Sequence, residues 1–332
     1  MPAALVQVEE DTYMLGIRAA RLSARRSLIA GTGVLALLAL TACGSDSAAD
    51  REPVTLISPL WAGGQANVAV AKYMLEEELG YRVNVEEMAE SDGWAAVGGG
   101  DADAILEDWD LPEEYEKWVE QAGTVVSAGQ LGVTGRIGWF VPSYLADSDR
   151  EITRWENLNA YADLFTTPGS GGKGVLYQGD PSYKSNDEAL IENLDLDLEL
   201  EYLGSEDAQL ERIRQRAKTQ EPFLTYWWTP HWIEAEVELS EVRLPDHYDG
   251  CDDDPDKVAC GYAETPLMKY LNADFAENGG KAAGFLRNFE WGEDEQNEVA
   301  RMIAGDGLSL DAAARQWAGE NEGTWKKWLW GL

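Results

Sequence analysis

From Val54 onward, short apolar runs alternate with stretches in which apolar residues recur every three or four positions. Val54 to Pro59 is the first run; Val68, Ala71, Leu75 and Leu79 then fall on one helical face that Gly80 closes. Tyr81 to Met88 alternates as a strand, Ser91 to Gly98 reads as a short helix, Ala102 to Leu106 as a buried strand, and Pro112 to Ala122 as a helix with proline in its first turn. This β-α-β-α-β order predicts a parallel sheet covered on both faces, because parallel neighbours need a crossover helix.

A second alternating set follows Pro142. A helix is expected near Trp155 to Tyr161, a strand at Gly174 to Tyr177, helices at Asp187 to Asn193 and Glu206 to Thr219, and an aromatic strand at Pro222 to Trp228. Lys281 to Leu332 carries three helical patterns and no strand, so it is expected to pack back on the first set. The predicted fold class is α/β, two-lobed, each lobe a mostly parallel sheet flanked by helices. The ligand cleft is expected between the lobes, at strand C-terminal ends. Residues 53–141 with 263–332 form the expected first lobe and 142–262 the second; no internal repeat is present.

Ahead of Val54 the pattern changes. Leu28 to Leu40 is a continuous apolar run, shorter than the ~20 residues a membrane span needs. Arg18, Arg21, Arg25 and Arg26 precede it and small residues end it, the order of a secretory signal; Met14 is an alternative start. Leu40-Thr41-Ala42-Cys43-Gly44 resembles the lipobox of bacterial lipoproteins, in which the cysteine is acylated and becomes the first residue. The alternative is an ordinary signal peptide with a chance cysteine, and Arg25-Arg26 leaves general and twin-arginine export both open. Residues 1–42 are thus an expected signal peptide and 43–52, polar and small, a flexible tether to the outer face of the cytoplasmic membrane.

Charge and cysteines narrow the partners. The 332 residues hold 26 Lys+Arg against 61 Asp+Glu, a formal net charge of -35, which repels phosphate backbones and excludes nucleic acid as a partner. With 45% hydrophobic residues and 14 Trp, the chain has ample apolar surface to offset chain entropy and is no disordered acidic tail. Cys251 and Cys260, in an exported chain, are expected to form a disulfide closing a short acidic loop. Asp252, Asp253, Asp254 and Asp256 within that loop lack the alternating spacing of a calcium loop, so a solvated turn is expected and no metal. Catalytic groupings are sparse: two His, no Gly-x-Ser-x-Gly elbow, and a Gly169 to Gly174 run whose Lys173 is not followed by Ser or Thr. Neither an enzyme nor a cofactor is expected.

Tryptophan is the informative residue. It gathers at Trp61, at Trp94, in Glu107-Asp108-Trp109-Asp110-Leu111-Pro112, and in Tyr226-Trp227-Trp228-Thr229-Pro230-His231-Trp232, each after a predicted strand. Rings collected from strand ends can form a cage whose electron-rich faces attract a quaternary ammonium, which has no N–H to donate; each contact gives roughly 0.5–2 kcal/mol away from water. Core packing and sugar stacking are the competing roles. Trp118, Trp155, Trp317, Trp325 and Trp328 sit on helical patterns and are expected to pack.

Over Val54 to Leu332 the chain resembles the substrate-binding proteins of glycine betaine/proline betaine/choline ABC transporters. The resemblance rests on Leu79-Gly80-Tyr81-Arg82-Val83, on Gly93 to Trp109 with Gly100-Asp101-Ala102-Asp103 inside it, and on Tyr226 to Trp232. It implies that Trp109 and Trp228 are two walls of a cage and Tyr183 a third, Tyr where some relatives have Trp. It also implies that Trp61 belongs to the site with the amides of Gly63 and Gly64 able to meet an anionic group, and that His231 contacts a ligand carboxylate. Trp94 and Asp108 complete the expected ligand-binding set. The acidity of Glu107-Asp108-Trp109-Asp110 departs from the neutral surroundings usual in betaine binders, and strand alternation lets only one of Asp108 and Trp109 face the cleft. The implied partners are a small quaternary-ammonium ligand, glycine betaine before choline, an ABC permease, and the membrane through the lipid on Cys43; a monomer is expected. A Trp-rich extracellular sugar-binding protein or glycosidase is the alternative.

Overall fold

Nine strands build one sheet in the computed structural model, which describes residues 52–332. The signal segment, Cys43 and the tether up to residue 51 lie outside the described residues. The strands are β1 (Val54–Ser58), β2 (Val83–Glu87), β3 (Ala104–Asp108), β4 (Val125–Pro142), β5 (Gly174–Gln178), β6 (Leu198–Tyr202), β7 (Leu224–Thr229), β8 (Leu239–Val242) and β9 (Glu264–Asn272). Their order is β2-β1-β3-β9-β4-β7-β5-β6, with β8 paired to β4. β1 runs parallel to β2 and β3, and β5 parallel to β6 and β7. The antiparallel pair β4 and β9 joins these two parallel sets.

The first β-α-β-α-β unit forms as the pattern predicts. Helix Ala62–Tyr73, rich in Ala and Val and buried on nearly every side, continues to Glu78 and connects β1 to β2. Helix Glu90–Gly99 connects β2 to β3, and Pro112 opens the next helix at the position where its missing N–H costs nothing. In the second set, helix Glu206–Thr219 starts at Ser205, whose hydroxyl accepts the Ala208 N–H, and carries acidic residues in its first turn and basic ones in its last.

Four strands are absent from the pattern reading: β4, β6, β8 and β9. β4 is broken up by Gly129, Gly132, Gly135 and Gly138, β9 by Pro266 and the buried Lys269, and the short β8 pairs only with the end of β4. Lys269 is tolerated inside because its ammonium caps the end of helix Gly280–Asn288, donating to the carbonyls of Leu286 and Arg287 at 3.0 and 3.1 Å and to that of Phe289. The helices beyond Gly280 pack on Ala62–Tyr73, and Trp317, Trp325 and Trp328 join Phe285 and Phe289 in that core. Trp155 and Trp118 pack against two smaller cores. Among the described residues no helix is long and apolar enough to cross a membrane.

Candidate functional site

A cavity of about 370 Å³ opens where the ends of β3 and β7 meet the segment after β5. Six aromatic rings line it: Trp61 and Trp109 from the N-terminal set of strands, Tyr183, Tyr226 and Trp228 from the second set, and Tyr262 just ahead of β9. Tyr183 stands edge-on to both Trp61 and Trp228, with ring centroids 6.1 and 5.9 Å away. Trp227 stacks behind Trp228 at 4.7 Å. Trp109 packs against β4 at Gly135, where a Cβ would sit 2.3 Å from its Cζ3. Only glycine lets the ring approach that closely.

One buried carboxylate holds the first pair of rings. Glu107 Oε1 accepts the indole N–H groups of Trp61 at 2.6 Å and Trp109 at 2.8 Å, while Oε2 accepts Asn67 and Gln296, each at 2.6 Å. Burial raises its pKa and these four donors oppose the rise. In the second set Asp187 plays the same part, accepting Trp139 Nε1 at 2.7 Å, Tyr262 Oη at 2.6 Å and Gln178 Nε2 at 2.7 Å, and it too is raised by burial.

The rim is acidic. Glu90, Asp110, Glu113, Glu114 and Asp252 line the cavity against a single lysine, Lys184. Glu90 Oε1 accepts the Trp109 N–H at 2.8 Å, and burial and then the charge of Asp108 push its carboxyl well above the usual range. Asp108, bonded by Trp94 Nε1 at 2.8 Å and the Asp110 N–H at 3.2 Å, is pushed by burial up to about 6. The cavity can therefore surround a cation with π-faces and carboxylates, and meets an anion with one positive side chain against five negative ones.

Several expected site residues are elsewhere. Trp94 is fully buried against Tyr270, outside the cavity lining; it orients Asp108. Strand alternation turns Asp108 inward and Trp109 to the cavity. Gly63 and Gly64 lie in the first helical turn and do not line the cavity; a Cβ on Gly64 would fall 2.1 Å from Pro59 Cγ, so that glycine serves packing. His231 is buried behind Trp228, with Nε2 2.9 Å from Glu206 and Nδ1 accepting the Ile233 N–H at 3.1 Å. Both of its nitrogens are engaged within the protein, which leaves none for a ligand carboxylate. Cys251 and Cys260 are joined by a disulfide, and Asp252 and Pro255 of that loop form part of the cavity wall. Glu90, Tyr226 and Tyr262 also line the cavity and are not among the expected site residues; Glu90 and Tyr262 lie outside the tryptophan clusters that supplied the signal, and Tyr226 opens the last of those clusters but sits two residues before the expected wall, Trp228.

The family model described as the substrate binding domain of the ABC-type glycine betaine transport system matches residues 52–320. A trimethylamine N-oxide-binding protein of Pelagibacter ubique is 22% identical over 313 residues, 90% of this chain and 98% of that protein. The fold is shared with lactococcal OpuAC closed on glycine betaine, at TM-score 0.65 and 20% identity over 84% of this chain and 100% of that one. It is shared likewise with an ABC-transporter choline-binding protein in complex with choline, at TM-score 0.68 and 19% identity over 84% and 92%.

Proposed function

This chain belongs to the family of substrate-binding domains of ABC-type glycine betaine transport systems, and from that premise we propose that it captures a quaternary-ammonium solute, glycine betaine or choline, between its two lobes and hands it to the permease. It is a transport protein and not an enzyme, so the glycosidase alternative falls away. The lobes are assigned as 53–141 with 263–332 and as 142–262, the chain crossing along β4 and again just ahead of β9.

The observation that carries the reading is the convergence of Trp61, Trp109, Tyr183 and Trp228 on one cavity from both sides of the cleft. A trimethylammonium head cannot donate a hydrogen bond, so a well of ring faces is its matching receptor, and only closure brings all four rings around it. The lipobox at Cys43 supports anchoring on the outer face of the cytoplasmic membrane, where a binding protein meets its permease. Ligand-induced thermal shift and titration calorimetry with choline, glycine betaine and a panel of sugars test the assignment. Wild type gains melting temperature only with methylated ammonium ligands, and Trp109→Leu, which keeps apolar bulk but has no ring, binds them about tenfold or more weakly. A shift with sugars and none with any quaternary ammonium would return the sugar-binding alternative.

A further inference from the structure

The two helices that face each other across the cleft present their positive ends to one another. Ala62 opens helix Ala62–Tyr73 and Glu206 opens helix Glu206–Thr219. Two helix N-termini brought together repel unless an anion sits between them. Here the anion is a side chain: Glu206 Oε2 accepts the Ala62 N–H at 2.8 Å, a buried bond between residues 144 apart in sequence. Its other oxygen, Oε1, is 2.9 Å from His231 Nε2, and both side chains are almost wholly buried. Because His231 Nδ1 accepts the Ile233 N–H, the ring proton stands on Nε2 and points at Glu206. His231 in turn packs edge-on against Trp228, a wall of the cavity, at 5.1 Å. On the same side Tyr183 Oη reaches Leu60 O at 3.5 Å, so Glu206 and Tyr183 grip the backbone on either side of Trp61.

We propose that Glu206 is the clasp that closes the lobes, and that by occupying the leading amide of helix Ala62–Tyr73 it selects ligands that bring no carboxylate of their own. This rests on the reading of the cavity as a quaternary-ammonium site and divides the ligands within that class. A zwitterion such as glycine betaine brings a carboxylate that needs donors and positive charge; the first-lobe helix end has its leading N–H committed to Glu206, and the charged groups lining the cavity are five carboxylates against the single Lys184. A cation such as choline needs none, and the protein's own carboxylate supplies the negative charge that closure requires between the helix ends.

Two variants remove the same bond from opposite sides. Glu206→Gln discharges the clasp. Ala62→Pro deletes the donor at the first helical position, where proline is accommodated, and Trp61 already has the extended φ -130, ψ 150 that a residue before proline adopts. Wild type, both single variants and the double variant are titrated with choline and with glycine betaine in one buffer. Small-angle scattering with and without choline follows closure, and circular dichroism checks folding. Wild type is expected to bind choline at least tenfold more tightly than glycine betaine. Each variant is expected to lose about tenfold in choline affinity through faster dissociation and to compact less with ligand, with the double variant no worse than the weaker single. Variants that bind choline and compact like wild type would overturn the clasp. Equal wild-type affinity for choline and glycine betaine would overturn the exclusion of carboxylates. Failure of wild type to bind either ligand would instead overturn the reading of the cavity itself.

Discussion

Trp61 and Trp109, which belong to different loops, donate their indole N–H groups to the same atom, Oε1 of Glu107. The two rings are therefore fixed relative to one another before any ligand arrives, and a cage set in advance loses less entropy on binding than one that must assemble. Glu107→Gln replaces an acceptor of four N–H groups with an amide that presents donors to some of them. Loss of charged buried hydrogen bonds of this kind costs about 1.5–3 kcal/mol each at most, and part is recovered by relaxation. The expected result is a melting temperature lower by several degrees and choline affinity weaker by about tenfold. Thermal unfolding and calorimetric titration measure both.

The parallel units of the fold were legible because their signals are local: helical periodicity over Val68 to Leu79, alternation over Tyr81 to Met88, Pro112 at a helix start. β4 and β9 were not, since a strand with Gly at every third position and one carrying Pro266 and Lys269 make sense only once Trp109 packs on Gly135 and Lys269 meets the helix carbonyls. The same division holds at the site. Strand ends rich in tryptophan lead to Trp61, Trp109 and Trp228, which line the cavity, whereas His231 and Trp94 lie outside its lining, and nothing in their sequence neighbourhood states that their polar atoms meet Glu206 and Asp108. Glu90 gave no signal of its own, being one carboxylate among 61 acidic residues.

Gly135 tests whether the position of the Trp109 ring, and not merely its presence, sets affinity. A methyl at Gly135 would lie 2.3 Å from Cζ3 and 2.5 Å from Cη2 of the ring, too near for both to stay. The ring borders the cavity and can swing toward it, so the strand should survive. Gly135→Ala is expected to weaken choline binding by about tenfold, as for removal of one cation–π contact of about 1–2 kcal/mol, with the unliganded melting temperature changed by only a few degrees. Unchanged affinity would mean the ligand does not use the face that Gly135 supports.

Lys269 tests stability apart from binding. It lies on β9 away from the cavity lining, and its ammonium is the capping donor for the Leu286, Arg287 and Phe289 carbonyls. Lys269→Met keeps the aliphatic stem and orphans those acceptors at a helix end, where a buried unpaired group costs about 1–3 kcal/mol. Urea denaturation should show an unfolding free energy reduced by that amount, with a correspondingly lower midpoint, while choline affinity at 25 °C stays within about threefold of wild type.

The Glu90–Asp108 pair makes binding depend on pH, and the sign follows from the direction of both shifts. Each carboxyl is raised in the folded protein, Asp108 to about 6 and Glu90 well above its ordinary value, with burial as the first cause in both. A raised carboxyl means the folded state holds its proton more firmly than the unfolded chain. Its contribution to stability is complete below the unfolded values near 4 and is lost as pH climbs through the folded ones, from about 4 through 6 and above. Glu107 and Asp187 are raised as well and act in the same direction, so the unliganded protein should melt at progressively lower temperature across this range. A cation in the cavity reverses the preference, because it favours the ionised carboxylates: Glu90 lines the wall and Asp108 stands behind it, with Asp110 also on the rim. Choline should therefore bind several-fold more tightly at pH 7 than at pH 5 and release protons as it binds. Calorimetry at each pH in two buffers of different ionisation enthalpy counts those protons. Glu90→Gln, which retains an acceptor for the Trp109 amide but cannot ionise, should flatten the profile and reduce the count. A wild-type affinity that is level from pH 5 to 7 with no proton released would show that the pair does not sense the ligand's charge.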